Sequence, residues 1–189
     1  SALLTAVVVF SGPVTAMQPA IPAMPPLAAK SYVLMDAATG QVLVEHNADE
    51  ALPPASLTKL MTAYIATKEI RNGQIGEQDL VTISEKAWRT GGSRMFIEVG
   101  KQVSVDDLLH GIIIQSGNDA SVAIAEYIAG SEEAFADMMN KQARSLQLSN
   151  SSFRNATGLP DEGHYSSAHD MARLARAIIL DDPEHYAIY

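Results

Sequence analysis

The amino-acid sequence predicts an α+β fold in which a cluster of helices packs against an antiparallel sheet. Apolar residues recur at helical spacing in about five segments, whereas only two or three short segments have the composition of strands. One hairpin does not cover the apolar faces of so many helices, because an isolated hairpin is only marginally stable in water. We therefore expect that strands are missing from these 189 residues and that the chain is truncated.

The N-terminal residues predict export. Residues 1–11 are an apolar run, and Val14-Thr15-Ala16 has the small-x-small pattern of a signal-peptide cleavage site. A run of roughly ten apolar residues is too short to span a bilayer, although a buried strand or the end of a membrane span is an alternative reading. We interpret residues 1–16 as the end of a signal peptide and residues 17–30, which are rich in proline, as an extended leader.

The folded part begins with a predicted hairpin, followed by a helix. Residues 31–36 and 41–46 are β-type runs that flank Ala37-Ala38-Thr39-Gly40. From Ser56 to about Ile70, apolar residues follow helical spacing, which predicts a helix with one buried stripe. The stripe consists of Leu57, Leu60, Met61, Tyr64 and Ile65. Asn72-Gly73 ends this helix, and residues 79–83 predict a short strand.

Four more helices are indicated by their ends. Ser104 with Asp107 resembles a capping box and opens a helix that Ser116-Gly117-Asn118 breaks. Residues 119–129 form an alanine-rich helix suited to the interior, and Ser131 opens the next helix, to about residue 146. Ser167 with Asp170 again resembles a capping box, before a helix that reaches Leu180.

The composition excludes several classes of function. The chain has 13 basic and 22 acidic residues, a net charge of -9, which argues against nucleic acid as a partner. It has no cysteine, so disulfides and thiolate metal sites are excluded. The five histidines (His46, His110, His164, His169 and His185) show no metal-ligand spacing, and structural or surface roles are expected for them. We expect no metal and no cofactor.

One motif contains a nucleophile and a base at helical spacing. In Ser56-Leu57-Thr58-Lys59, the first and last residues share a helix face, so the Lys59 amine can reach the Ser56 hydroxyl. A serine is a poor nucleophile until a base takes its proton, and a buried lysine has a lowered pKa that suits it to this role. By itself the motif is weak, since a helix-capping serine beside a solvated lysine gives the same pattern.

A second motif lies at the predicted helix break. Ser116-Gly117-Asn118 is the only S-x-N in the chain, and its position in a loop lets a hydroxyl and a carboxamide point into a cleft. The alternative is that Asn118 caps the following helix. Both readings are compatible, because Ser116 would keep its side chain for another role.

With both motifs present, the chain resembles the serine-type D-alanyl-D-alanine carboxypeptidases, which are low-molecular-mass penicillin-binding proteins. The likeness runs from about residue 31 to residue 189 and includes PPASLTKLMTAY, GIIIQSGNDASVAIAEYIAGS and FRNATGLPDEGHYSSAHDMARLA. It implies a penicillin-binding-protein and β-lactamase-like fold, with residues 31–189 as the N-terminal and central part of a transpeptidase-like catalytic domain.

The resemblance also implies roles for the motif residues. Ser56 would be the acylated nucleophile, with its backbone N–H as half of an oxyanion hole, and Lys59 would be the general base. Ser116 would relay a proton to the departing D-alanine. Asn118, with Gly117, would bind the substrate, and Asn118 would also help orient Lys59. Residues 91–94 would form a loop at the border of the cleft, where Arg94 could meet an anionic ligand; we favour the alternative that Arg94 is a solvated loop arginine.

The third motif of the family, Lys-Thr-Gly on a strand, does not occur between Ser1 and Tyr189. We interpret the sequence as a fragment, inactive by itself; a family member that has lost its activity is the alternative. By resemblance, the partners are peptidoglycan stem peptides ending in D-Ala-D-Ala, with β-lactams as inhibitors. A missing C-terminal region would anchor the protein to the membrane. The protein is expected to be exported to the bacterial periplasm or cell envelope, at the outer face of the cytoplasmic membrane.

Three other activities remain open at this stage. A D,D-endopeptidase would cut cross-links on the same fold. A β-lactamase is disfavoured because the middle residue of the second motif is Gly117 and no E-x-x-L-N is present. A non-catalytic wall-binding protein is disfavoured because Ser56, Lys59, Ser116 and Asn118 are all retained.

Overall fold

The computed structural model describes residues 26–189 and contains two small antiparallel sheets and seven helices within that range. The strands are β1 (Tyr32–Met35), β2 (Val42–His46), β3 (Leu80–Thr82) and β4 (Gln102–Ser104). The helices are α1 (Thr58–Arg71), α2 (Glu85–Arg89), α3 (Val105–Gln115), α4 (Asn118–Ala129), α5 (Glu132–Ser145), α6 (Ala168–Asp181) and α7 (Pro183–Tyr186). The α+β class is confirmed.

Helices α1 and α4 lie between two apolar clusters. In one cluster they pack against α2, α3 and β3, through residues such as Ala66, Leu108 and Ile124. In the other they pack against α5 and α6, through residues such as Met61 and Phe135. Residues 118–125 of α4 are all buried, as the alanine-rich sequence predicts.

The prediction of one buried stripe on α1 is wrong. Leu57 is 53% exposed, whereas nearly every residue from Thr58 to Thr67 is buried. The buried threonines are tolerated because their hydroxyls have partners: Thr62 donates to the Ala156 carbonyl at 2.7 Å, and Thr67 to the Tyr64 carbonyl at 3.3 Å. Burying a hydroxyl without a hydrogen bond would cost about 1–3 kcal/mol.

Three predicted helix starts are confirmed by their caps. The side chains of Ser104, Ser131 and Ser167 each accept a hydrogen bond from the backbone N–H three residues later. The break after α3 is also confirmed, since Ser116 has a left-handed backbone with φ of 54°. Gly130 ends α4 in the same region of conformational space.

The predicted hairpin is confirmed as β1 and β2, paired antiparallel. The Asp36 carboxylate accepts hydrogen bonds from the backbone and side chain of Thr39, which fixes the turn. The Arg176 guanidinium on α6 donates to the carbonyls of Ala37 and Ala38 at 2.8 and 3.1 Å. Tertiary contact with α6 therefore stabilises a hairpin that would be marginal alone.

Three elements were missed by the sequence reading. Strand β4 pairs with the predicted strand β3 in a second sheet, but it has only three residues and one is apolar. Helix α2 has five residues, too few for a periodic pattern. Helix α7 did carry a signal, because Asp182 caps it and Pro183 occupies its first turn.

The predicted signal segment, residues 1–16, and most of the leader, residues 17–25, lie outside the described residues. Residues 26–30 of the leader adopt neither helix nor strand. Within residues 26–189, no helix combines the length and apolar character that a membrane crossing requires. The division into a leader and a single domain stays a prediction.

Candidate active site

Ser56 and Lys59 are brought together by the start of α1. A short 3-10 turn, Ala55–Leu57, runs directly into the helix and places the two side chains one turn apart. The Lys59 Nζ lies 3.3 Å from Ser56 Oγ. Ser56 is exposed, while Lys59 is only 5% exposed. The predicted proximity of hydroxyl and amine is confirmed.

The burial of Lys59 changes its acid–base behaviour. Desolvation disfavours the ammonium form and lowers the pKa of Lys59 to about 8. Roughly one amine in ten is therefore free at pH 7, against fewer than one in a thousand for an ordinary lysine. The Nζ also donates to the Thr157 carbonyl at 2.7 Å. A neutral amine held in this way keeps a lone pair with which to accept the Ser56 proton.

The turn before Ser56 is held in an unusual conformation by a glycine. Ala55 has a left-handed φ of 47°, which costs energy for a residue with a Cβ. Gly158, at φ of 84°, packs on the Ala55 carbonyl so closely that a Cβ at 158 would lie 1.8 Å from its oxygen. The close approach requires glycine, a role that the sequence reading did not assign.

Residues 154–161, here called the NATG loop, carry the carbonyl that binds Lys59. The Asn155 side-chain oxygen accepts from the backbone N–H groups of Thr157 and Gly158 at 3.2 and 2.8 Å, and so closes the turn. The Ala156 carbonyl accepts from the Thr62 hydroxyl on α1. Asn155 therefore has a structural role. Its position three residues before Gly158 in a loop could have indicated this role.

The Ser116-Gly117-Asn118 corner lies on the other side. Asn118 donates its backbone N–H to the Ser93 carbonyl and its side-chain Nδ2 to the Gly91 carbonyl, each at 2.7 Å. The helix-capping alternative for Asn118 is wrong, because the N-cap is Gly117 and the Asn118 side chain is directed to residue 91 instead. Nor does Asn118 contact Lys59 among the hydrogen bonds of the described residues; Thr157 holds the amine.

Asp119 is a residue that sequence reasoning missed. Its carboxylate is 1% exposed and accepts from the backbone N–H groups of Met95, Phe96 and Ile97 at 3.0, 2.9 and 3.3 Å. The backbone N–H of Ala120 also donates to it at 2.9 Å, so four N–H donors satisfy this buried carboxylate. Asp119 thus fixes the loop of residues 91–97 beside the corner, and only the tertiary fold identifies its partners.

A cavity of about 400 Å³ lies between these two sides. Its lining includes Ser56, Asn118, Ser93 and residues of the NATG loop, together with His164. Lys59 lies behind Ser56, and neither Ser116 nor Gly117 belongs to the lining. Ser116 is half-buried at the end of α3, and Gly117 is buried. The structure therefore brings Ser56, Lys59 and Asn118 together, and leaves Ser116 and Gly117 at the edge.

The loop of residues 91–94 borders the cavity through Ser93, as the resemblance implies. The Arg94 guanidinium lies 5.7 Å from the centre of the Phe96 ring, a cation–π distance. Among residues 26–189, no cluster of three or more histidine, aspartate and glutamate side chains is arranged to hold a metal ion. The chemistry available in this cavity is that of a hydroxyl, an amine and amide groups.

Known proteins with similar sequences and structures show which family the chain belongs to. A sequence model of the D-alanyl-D-alanine carboxypeptidase family, peptidase S11, matches residues 16–189. D-alanyl-D-alanine carboxypeptidase DacC of Escherichia coli is 48% identical over 171 residues, which cover 87% of this chain and 43% of that protein.

Two solved structures extend the comparison. The D-alanyl-D-alanine carboxypeptidase DacD from Francisella tularensis has a TM-score of 0.87 at 46% identity, covering 89% of this chain and 41% of the other. Penicillin-binding protein D2 from Listeria monocytogenes, in its ampicillin-bound form, has a TM-score of 0.75 at 29% identity, covering 85% and 66%. The chain belongs to the D-alanyl-D-alanine carboxypeptidase family. It spans less than half the length of the curated relatives it matches.

Proposed function

We propose that the protein containing this chain is a serine-type D-Ala-D-Ala carboxypeptidase that acts on peptidoglycan stem pentapeptides in the bacterial cell envelope. One observation carries the proposal. The exposed Ser56 hydroxyl opens into a 400 Å³ cavity and lies 3.3 Å from the amine of a buried lysine. The names of the relatives favour this activity over the endopeptidase, the β-lactamase and the non-catalytic alternatives.

Ser56 and Lys59 perform the first chemical step. The neutral Lys59 amine takes the hydroxyl proton while Ser56 Oγ forms a bond to the carbonyl carbon of the penultimate D-alanine. The contact of 3.3 Å is long for a proton transfer, and such contacts commonly shorten when substrate binds. The N-terminal end of α1, which begins two residues after Ser56, contributes a partial positive charge near the developing oxyanion.

Breakdown of the tetrahedral intermediate releases D-alanine. The C–N bond breaks, and the proton that Lys59 received passes to the departing amine, with Ser116 as the relay. Water then hydrolyses the Ser56 ester and restores the hydroxyl. Asn118 binds the substrate peptide beside these groups, and its hydrogen bond to the Gly91 carbonyl holds the carboxamide in place. Gly117, which is buried, supports Asn118 as the N-cap of α4.

β-Lactams are proposed as inhibitors of the same site. Ser56 Oγ attacks the lactam carbonyl, the ring C–N bond opens, and the product stays attached as a slowly hydrolysed ester. The ampicillin-bound form of the Listeria relative supports this proposal. A 400 Å³ cavity is within the usual size range for a drug-sized ligand.

Labelling with a fluorescent penicillin tests the proposal in the full-length protein. We expect Ser56→Ala to abolish the covalent adduct, because within residues 26–189 Ser56 supplies the hydroxyl that is hydrogen-bonded to Lys59, and the other partner of the amine is a backbone carbonyl. Ser145→Ala, which removes an exposed hydroxyl on α5, is the matched control and should label normally. Persistent labelling of the Ser56→Ala variant would reject Ser56 as the nucleophile.

Substrate assays separate the activities. We expect D-alanine release from a pentapeptide that ends in D-Ala-D-Ala to exceed the cleavage of cross-linked dimers. Faster cleavage of dimers would favour an endopeptidase, and rapid turnover of penicillin would favour a β-lactamase. Labelling at Ser56 without turnover of any of these substrates would favour a wall-binding protein.

A further inference from the structure

We propose that His164 is a positioning residue for the reaction at Ser56: it binds the Thr58 hydroxyl and thereby keeps the NATG loop seated against Lys59. The inference rests on the proposed function, since it concerns the same nucleophile and base. Sequence reasoning assigned His164 only a structural or surface role.

His164 connects α1 to the NATG loop. Its Nε2 lies 2.8 Å from the Oγ1 of Thr58, the residue before Lys59. Its Nδ1 accepts from the backbone N–H of Arg154 at 3.1 Å, and its own backbone N–H donates to the Asp161 carbonyl at 3.1 Å. The imidazole of His164 therefore joins the beginning of α1 to Arg154, the first residue of the loop. The backbone of His164 binds Asp161, the last residue of the loop.

These contacts determine the tautomer of the ring. A backbone N–H donates to Nδ1, so that nitrogen must carry a lone pair, and the proton of the neutral ring is on Nε2. The Nε2–H therefore donates to the Thr58 hydroxyl oxygen. His164 is 7% exposed, and the Phe153 ring packs edge-on against it at 5.9 Å. The neutral ring therefore has a hydrogen-bond partner at each of its two nitrogens.

The position of the loop determines the environment of Lys59. The Thr157 carbonyl that accepts from Lys59 Nζ belongs to the loop that His164 joins to α1. The same loop contacts α1 through Thr62 and packs Gly158 on the Ala55 carbonyl. If the loop moved away, water would reach the amine and Thr157 would no longer orient its lone pair toward Ser56.

Protonation of His164 would oppose this arrangement. An imidazolium has a proton on both nitrogens, so Nδ1–H would face the N–H of Arg154. Burial lowers the pKa of His164; the Arg154 guanidinium also lowers it, and the Asp161 carboxylate opposes both. Lys59, on α1 beside Thr58, is a further titratable group near the ring's partners. The ring is therefore neutral at pH 7.

The test uses three variants of the full-length protein. His164→Ala removes both contacts. His164→Gln keeps an amide donor and acceptor but does not titrate. His169→Gln is the matched control, because His169 lies on α6, pairs with Asp49 and is absent from the cavity lining. The pKa of Lys59 is measured by NMR of ¹³C-labelled lysine, with Lys59→Arg used to assign its resonance, and acylation is followed with a fluorescent penicillin.

We expect His164→Ala to raise the pKa of Lys59 by about one unit or more toward its ordinary value of about 10.4. Acylation should slow by at least about tenfold. His164→Gln should stay within about threefold of the parent. An unchanged Lys59 pKa together with unchanged acylation in a folded His164→Ala variant would overturn the proposal.

The pH profile supplies a second readout, which decides the matter even if His164→Ala does not fold. Burial lowers the pKa of His164 below the ordinary histidine value of about 6.5, so the ring protonates only on the acid side of that value. In that acid range, acylation of the parent and of His169→Gln should fall more steeply than Lys59 alone dictates. His164→Gln should lack that steepening, and equal slopes in all three proteins would reject the proposal. If the parent is not acylated at all, the proposed function fails, whereas the Lys59 pKa still tests the role of His164.

Discussion

The two sides of the cavity are built differently. On the side of α1 and the NATG loop, the Lys59 amine contacts both the Ser56 hydroxyl and the Thr157 carbonyl. On the side of the second motif, Asn118 and Asp119 direct their polar atoms to the backbone of residues 91–97. The first side holds the proposed reacting atoms at contact distance, whereas the second chiefly holds a loop.

This difference separates two parts of the proposed reaction. Removal of the Ser56 proton needs little rearrangement, because donor and acceptor already meet one helical turn apart. Transfer of that proton to the departing amine through Ser116 needs more rearrangement, since Ser116 does not line the cavity. We therefore expect substitutions on the α1 side to affect acylation more strongly than substitutions on the side of residues 91–97.

The largest effect is expected from Lys59→Arg. A guanidinium does not release its proton in proteins, so Ser56 would lose its base, and acylation should fall by about 10³-fold. Rates of labelling with a fluorescent penicillin measure this loss. Lys141→Arg, at an exposed position on α5, is the control and should label at the parent rate. Near-normal acylation of Lys59→Arg would remove Lys59 from the role of base.

Gly158→Ala should disturb the same side through the backbone. The new Cβ would lie 1.8 Å from the Ala55 oxygen, at a residue with left-handed φ, and we expect a loss of about 3 kcal/mol in the free energy of unfolding. Gly73→Ala shares the left-handed φ but meets nothing within 4 Å, so it should cost only about 1 kcal/mol. Urea denaturation compares the two, and equal losses would show that the contact with Ala55 is unimportant.

The pH dependence of acylation gives a smaller effect. In the proposed mechanism the free amine of Lys59 is the active form, and burial lowers its pKa to about 8, so the rate should rise about tenfold per unit up to pH 8 and level off above it. The sign follows from the lowered pKa, because protonation on the acid side removes the base. A rate that is constant between pH 6 and pH 9 would contradict this role for Lys59.

The smallest effect is expected on the side of the second motif. In Gly92→Ala, the Cβ would lie 2.5 Å from the Asn118 Nδ2. The end of a side chain moves more easily than backbone, so we expect a loss of about 1–2 kcal/mol in stability and a few-fold slower acylation. Gly91→Ala meets nothing within 4 Å and is the control. A larger loss of acylation than in Gly158→Ala would reverse the comparison between the two sides.

The predictability of each feature follows from the sequence separation of its contacts. The hairpin, the serine caps and the Ser56–Lys59 pair depend on residues a few positions apart, and all were predicted. Asp119, Gly158 and His164 were not assigned their roles, because each has a decisive partner that lies between 22 and 106 residues away. No local sequence pattern distinguishes a glycine that packs against a carbonyl far away in the chain from a glycine in an open turn.

The burial of α1 shows the same limit. Its threonines and Lys59 suggest exposed positions in the sequence, so a one-sided helix was predicted. In the structure they are buried because hydroxyls and amine find carbonyl and imidazole partners elsewhere in the chain. Those partners come mainly from residues 154–164, which were recognised only as part of the family resemblance.

By itself, the sequence determined the fold class, the order of the main helices, and the spacing that joins a serine hydroxyl to a lysine amine, because helix and turn geometry are set by neighbouring residues. The tertiary structure decided that the Lys59 amine is buried and that the Thr157 carbonyl orients it. It also decided that His164 and Gly158 hold the NATG loop in place. Burial and close approach depend on chain segments about 100 residues apart, and only the packed molecule brings those together.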